Sequence, residues 1–524
     1  MMKTLRSTLL ALAFALACGT AAAATLRVAN QGEALSMDPH SLNESLQLSF
    51  TGNIYEPLVG RDKQLQLTPL LATRWTQTSP NVWRFELRRN VKFHDGSPFT
   101  ADDVVFSLQR ASAEGSDLRT FTAPIRAVRK VDPHTVELET DQPFSILPSV
   151  LSNVYIMSQR WCEQHRAERP VDRRKGVENA ASFRANGTGP FRLKERQPGT
   201  RTVLARNGAY WGKVDSNVDE VVFTPIANDG TRVAALLSGE IDVMEPVPLQ
   251  DIDRIKANPQ LKVLQGPEMR TVFLVMDQMR DELLSSNVKG KNPFKDKRVR
   301  QAVYQAIDID TIKTQVMRNA ATPTGLLVAP AVHGFAPDLN KRLPYDPDAS
   351  RRLLSEAGYP SGFEVGMNCP NDRFLNDGEI CQAVAANLAR VGIKAQLQTE
   401  SKATYFPKVL KRNGSLFMFG WTPATYDAHN PLSSLMATPN DKGQGQFNLG
   451  GYSNPKLDAL VQKVQSETDD ARRNQLIREA FKLHQDDIGH VPLHQQSLAW
   501  AAKKNIELVQ LPDNFMFYKW VVVK

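Results

Sequence analysis

The chain has 524 residues, of which 41% are hydrophobic and 23% charged, with 32 Pro, 30 Gly and a formal charge of +8. Such a composition excludes disordered, collagen-like and low-complexity chains, and the length corresponds to roughly two to four domain-sized units. The positive charge is dispersed: "DRRK" (172–175) and "KDKRVR" (295–300) are short and flanked by acids or apolar residues, a pattern of solvated surface rather than nucleic-acid binding.

The amino terminus, "MMKTLRSTLLALAFALACGTAAAAT", carries Lys3 and Arg6, an apolar stretch from Leu9 to Ala17 and a small-residue end at Ala21–Ala24. This reads as a cleavable secretory signal (1–24), cut after Ala23 or Ala24, because the apolar stretch is too short to span a bilayer. Cys18 offers the alternative of a lipid anchor, but Ala15 stands where such signals usually carry Leu, so soluble export is the expectation. Losing Lys3 and Arg6 takes the charge from +8 to about +6. No later apolar run has the length of a membrane span, and the mature chain is expected not to insert into a membrane. Cys162, Cys369 and Cys381 remain after cleavage. An oxidising compartment fits one disulfide and one spare thiol, and Cys369 and Cys381, flanking "PNDRFLNDGEI", are the natural pair.

Further along, "TLRVAN" (25–30) alternates like a strand and leads into a helix expected near Leu42–Ile54. "WRFELRR", "KFHDGSPF" and "TVELET" are strand and turn pieces, and Thr100 with Asp103 signals a capped helix in "TADDVVFSLQRA". "GTGPFRLKER", "RTVLARN" and "EVVFTPI" predict more strands, followed by a helix over 231–245 with an acidic end. From about 270 long helix patterns alternate with short apolar strands. They include a helix over 296–317, one opened by Asp346–Pro347, a helix and strand in "ICQAVAANLARVGIKAQLQTE", the strand "SLFMFGW" and a helix over 469–488. "HVPLH" and "LAWAA" follow as short apolar pieces. The rhythm is that of an α/β chain with two lobes and no solenoid repeat.

Catalytic signatures do not emerge. There is no G-x-S-x-G elbow and no H-E-x-x-H, and neither paired-glycine stretch completes a nucleotide-binding pattern. Pro492 between His490 and His494 breaks the helix that would align two metal ligands, so these read as core or surface histidines. No C-x-x-C occurs, and no cofactor or metal site is implied.

Ten blocks in fixed order carry a family likeness: "IYEPLVGRD", "LTPLLATRW", "WRFELRRNVKFHDGSPFTADDVVFSLQR", "NGTGPFRL", "RNGAYWG", "LLSGEIDV", "FKDKRVRQAVYQAID", "YDPDASRRLLSEAGYPSGFEV", "RVGIKAQLQ" and "YSNPKLDALV". Together they resemble the family 5 extracellular solute-binding proteins, the periplasmic dipeptide-, oligopeptide- and nickel-binding group of ABC importers, and most closely the dipeptide binders. The resemblance implies a non-enzymatic α/β periplasmic binding protein of the cluster C type, two lobes hinged by two crossing strands, with an extra α/β subdomain in the amino-terminal half. It divides the chain into domain I (25–60, 186–270 and 482–524), domain II (61–185) and domain III (271–481). It implies a monomer in the periplasm that closes on a short peptide or peptide-like solute and docks on an inner-membrane ABC permease.

Peptide binders of this group hold the ligand's amine with an acid three positions beyond a Gly-Trp pair, and dipeptide binders hold its carboxylate with an arginine. Here the acid's position is Ala424 in "GWTPATYDAHNP" (420–431), and Asp427 is the next acid, able either to take over the amine or to cap a turn with Asn430. Arg373 in "CPNDRFLND" falls within about two residues of that arginine's place, in a loop of different length, the other reading being a solvated loop residue. Trp421 is the candidate platform for the ligand, edged by Tyr426 and His429. Glu33, Ser36, Asn43 and Glu44 match the first cleft loop, and Phe447 and Asn448 border the cleft from the other lobe. The missing acid leaves open a non-peptide solute, an organic acid, sugar conjugate or metal chelate. A nickel site is disfavoured because His429 alone among the histidines lies in a cleft loop.

Overall fold

Helices begin where a side-chain acceptor meets free backbone amides, as in the computed structural model, which describes residues 24–524. The secretory-signal reading (1–24) falls outside that range except for Ala24, which begins the strand Ala24–Asn30. Thr100 and Asp103 form the expected capping box on the helix Ala101–Ser112, and Asp346 caps Pro347–Glu356. The first helix is shorter than the expected 42–54: it spans Ser45–Thr51 and starts where the Glu44 carboxylate accepts from the amides of Leu46 and Gln47. Two longer readings are corrected. Residues 231–245 are not one helix, because Gly239 at φ 81° ends the helix Asp229–Ser238 and Val243–Glu245 becomes a strand. Residues 296–317 break after Ala306, where Ile307 is extended and Asp308 caps a separate turn.

One eleven-stranded sheet runs through both lobes. The first lobe contributes Val243–Glu245, Ala24–Asn30, Val218–Pro225, Arg201–Arg206 and Phe191–Gln197. The second contributes Ile393–Glu400, Phe363–Pro370 and Leu416–Trp421, with a short edge at Ala321–Pro323. Two long antiparallel strands, Leu261–Met276 and Val491–Lys503, join the halves. The second of these unites "HVPLH" and "LAWAA", which the sequence showed as separate pieces. Their pairing register shifts between Pro267 and Thr271, leaving Glu268, Met269 and Arg270 buried at the crossing point.

A separate four-stranded antiparallel sheet, Ala72–Ser79, Val82–Leu87, Thr135–Thr140 and Ile125–Asp132, packs beside the first lobe. Phe85 and Leu87 alternate inward from it into the core that also holds Leu26 and Val28. The "HDG" turn at 94–96 fastens this subdomain: the His94 Nε2 lies 3.0 Å from the Gly189 carbonyl oxygen. Gly187 approaches Ile54 so closely that a Cβ would sit 2.0 Å from its carbonyl oxygen, which accounts for the glycine of "NGTGPF".

Candidate functional site: a two-chambered interlobe cleft

The stretch 420–431 leaves the second lobe's sheet at the edge of the cleft. Trp421, ending the strand Leu416–Trp421, is 5% exposed and held by two contacts. Its ring lies 4.9 Å from that of Phe447, and its Nε1 donates to Asn430 Oδ1 at 2.8 Å. The next residues are tied from across the cleft by their carbonyl oxygens. Ala424 O accepts from Asn153 Nδ2 at 3.0 Å and Thr425 O from Ser149 Oγ at 2.8 Å. Tyr426 has φ 58°, the left-handed region, which for a residue with a side chain costs on the order of 1–3 kcal/mol.

Facing this loop is a buried charge cluster. Glu44 Oε1 pairs with Arg373 Nη2 at 2.8 Å, and its Oε2 with Lys402 Nζ at 3.0 Å, so one acid of the first lobe meets two cations of the second. Burial opposes ionisation of Glu44, but Arg373 and Lys402 outweigh it and hold the carboxyl well below the usual range. Arg270 donates from Nε to Glu268 Oε1 at 2.8 Å and from Nη2 to Ser45 Oγ at 3.0 Å. The Arg270 and Arg373 guanidiniums both lie near the Phe374 ring, at 5.7 and 5.0 Å. Burial, and then the like charge of Arg270, push the Arg373 guanidinium down to about 10. Its Nε has no hydrogen-bond partner among the described residues. The Arg373 loop is shaped by the Cys369–Cys381 disulfide and by Asp377, which accepts from the amides of Arg373 at 3.0 Å and Phe374 at 2.9 Å.

Two chambers open beside the stretch 420–431, the first between the lobes and the second within the first lobe and its subdomain, closed on one side by Tyr426. The first, about 550 Å³ with its mouth, lies among Glu44, Arg270, Arg373, Trp421 and Ala424. The second, about 630 Å³ with its mouth, lies among Glu56, Arg61, Tyr155, Leu511 and Phe517. They share a wall made of Asn153, Tyr426, Asp513 and Phe515.

Of the residues singled out in the sequence, Asn43, Glu44, Arg373, Trp421, Ala424 and Tyr426 line the first chamber. The Nδ2 of Asn43 is buried there without a hydrogen-bond partner among the described residues. The others stand elsewhere. Asp427 turns away from the chambers, accepting from Arg473 at 2.8 and 2.7 Å, from the His429 amide at 2.8 Å and facing His333 Nδ1 at 2.9 Å. With its oxygens so occupied, it has none to offer a ligand amine, and it acts as the turn-fixing acid. His429 packs edge-on against Phe144, and burial pushes it down to about 4. Phe447 backs Trp421 from behind, and Asn448 holds the carbonyl oxygens of Ala437 and Tyr452. Glu33 accepts from the Gly199 amide at the rim of the first lobe, and Ser36 is buried beneath Gln47. Arg270 and Asp513 line the chambers without having been noticed. Arg270 was legible as a charge inside the apolar run "MRTVFLVM", whereas Asp513 in "LPDNF" looks like any turn acid.

Known proteins of this shape bind solutes. The glutathione-binding protein GsiB of Escherichia coli (strain K12) is 28% identical over 481 residues, 90% of this chain and 89% of that protein. The fold matches that of the ABC transporter-associated periplasmic binding protein DppA from Helicobacter pylori in complex with the peptide STSA. The TM-score is 0.84 at 22% identity, over 96% of this chain and 98% of that one. It also matches the periplasmic binding protein AgaA from A. tumefaciens R10 in complex with agropinic acid, with a TM-score of 0.85 at 21% identity over 95% and 99% of the two chains. Among the described residues no group of His, Cys, Asp and Glu is placed to hold a metal ion, and no helix is long and apolar enough to cross a membrane. Residues 66–443 match the model of the bacterial extracellular solute-binding proteins, family 5, and the chain belongs to that family of non-enzymatic binding proteins.

Proposed function

We propose that the chain is the periplasmic receptor of an ABC importer, capturing a short peptide or peptide-like acid between its lobes and presenting it, as a monomer, to an inner-membrane permease. Residues 25–60, 186–270 and 482–524 would move as one body, carrying 61–185, against 271–481. The observation that carries the reading is the pair of guanidiniums lining one interlobe chamber beside Trp421, Arg270 buried and Arg373 with its side chain 10% exposed. Arg270 is paired with Glu268 and Arg373 with Glu44, but the Arg373 Nε has no partner among the described residues, which leaves a donor for a ligand carboxylate in directional, charge-assisted geometry. Asn43 Nδ2 offers a further donor and the Trp421 ring an apolar face. The 28% likeness to a glutathione-binding protein supports a solute of this size and charge.

The test is a thermal-shift and titration series with glutathione and a panel of dipeptides and tripeptides, each beside its carboxyl-amidated form. A ligand that binds only the folded chain raises the melting temperature by mass action. Free acids are expected to bind more tightly than amides. Arg373→Ala is expected to weaken the free acids by about 30-fold or more, the cost of truncating one partner of a buried charge pair. Equal binding of acids and amides refutes the carboxylate role. A second reading, a non-peptide acid without an amine, is favoured by one observation: Ala424 offers no carboxylate and Asp427 is fully engaged.

A further inference from the structure

The wall between the two chambers contains an acid whose surroundings set it apart. Asp513 is 6% exposed. Its Oδ1 accepts from the Phe515 amide at 3.0 Å and its Oδ2 from the Tyr426 hydroxyl. A carboxylate has about four acceptor positions, so about two remain unused. Among the described residues Asp513 forms no ion pair. Arg61 is the nearby cation, but it lies over the Tyr426 ring at 4.3 Å and donates to Ser149, Ser152, Leu65 O and Thr425 O. Burial raises the pKa of Asp513, the sign of a carboxylate short of positive charge.

The other deep acids of the two chambers are satisfied. Glu44 holds Arg373 and Lys402. Glu56 accepts from Tyr210 Oη at 2.6 Å, Trp211 Nε1 at 2.8 Å and Thr188 Oγ1 at 2.8 Å. Of the acids lining the chambers only Asp513 borders both, and the first chamber presents Arg270 and Arg373. The first chamber therefore carries positive groups at Arg270 and Arg373 and an underused negative group at the partition, beyond which Arg61 and Lys519 line the second chamber. A zwitterion with its carboxylate at the arginines places its ammonium towards that partition.

We propose that Asp513 is the amine-binding acid of this protein, doing from the first lobe what Ala424 cannot do from the second. Tyr426 fixes the geometry of the site: its hydroxyl donates to Oδ2, and its backbone is held at φ 58°. A ligand ammonium replaces this neutral donor with a charged one, and hydrogen bonds between ionised partners are roughly twice as strong as neutral ones. The inference rests on the chambers being the ligand site, and it selects ligands with a free amine over the amine-free acids.

The experiment is calorimetric titration of the purified chain with glutathione and a tripeptide panel, each in free-amine and N-acetyl form. The wild-type chain is expected to prefer the free amine. Asp513→Asn should weaken the free-amine form by about 30-fold or more and the acetylated form by about threefold or less, collapsing the preference. Tyr426→Phe keeps the ring and removes the competing hydroxyl, so free-amine affinity should hold or rise. It serves also if Asp513→Asn fails to fold: a drop of about tenfold or more assigns the amine to the hydroxyl and overturns the role of Asp513. A wild-type chain that binds both forms equally, or an Asp513→Asn chain that keeps the preference, overturns this inference and leaves the peptide receptor standing. A wild-type chain that binds neither form overturns both.

Discussion

Asp427 and Asp513 stand on opposite sides of the same loop, equally buried, and differ in what they meet. Asp427 faces the interior of the second lobe, where Arg473 grips both oxygens and His333 stands beside one of them. Asp513 faces the cleft, with a phenol, an amide and open space. Burial alone would raise both pKa values. For Asp427 the His333 hydrogen bond and the Arg473 charge outweigh burial and lower it, while for Asp513 burial prevails. The difference teaches that position near a cleft does not make an acid a ligand group. A carboxylate already neutralised by the protein is part of the framework, and one left short of charge is available to a ligand.

The largest effect that tests this contrast is on stability. Asp427→Ala leaves Arg473 buried without its partner and is expected to cost about 3–5 kcal/mol, read as a fall in the urea midpoint. Asp513→Asn removes a buried charge that has no cation and is expected to stay within about 1 kcal/mol of wild type. Equal costs at the two positions would erase the distinction between them.

Acid should come next. Burial pushes His429 to about 4, and His484 and His494 to about 3. The unfolded chain protonates these rings near pH 6.5, whereas the folded chain resists, so their contribution is complete above that pH and is lost as pH falls towards 4. Each should cost about 1 kcal/mol per pH unit over that window. The depressed Asp427 adds stability above about pH 4 that is lost as its carboxylate protonates. His333 acts in the opposite sense. Its pKa is raised first by the hydrogen bond with Asp427, and its contribution is present below about pH 6.5 and lost as pH rises through the folded value. It is one partly exposed ring against several buried ones. Burial raises Glu245 and Asp377 to about 7 and Asp103 to about 6, which favours the folded state as pH falls, so the ring contribution is read by difference: a His429→Gln chain should lose less melting temperature from pH 7 to 5 than the wild type, and equal losses would show that this ring titrates normally.

The smallest effect expected is at position 424. Ala424→Asp adds a carboxylate to the chamber wall, but with the amine held at Asp513 the free-amine affinity should change by about threefold or less. A gain of tenfold or more would move the amine site back to the loop and break the assignment.

Local signals in the sequence determined much of this protein. Caps such as Thr100–Asp103 and Asp346 read directly, because the interaction that starts a helix spans only a few residues. The family blocks read directly for a similar reason: "NGTGPF" keeps glycines where backbones nearly touch, a demand that leaves no choice of residue. Arg373 and Trp421 were visible as residues of a cleft, and so was the absence of an acid at 424.

What only the tertiary structure decided is direction and partnership. Nothing within "ATYDAHNP" tells that Tyr426 turns towards Asp513, 87 residues away, while Asp427 turns towards Arg473, 46 residues away. Nor does "HVPLHQQSLAWAA" show that its pieces form one strand, since its partner is the distant Leu261–Met276. An acid's chemistry is set by the charges that fold around it, and those come from other parts of the chain.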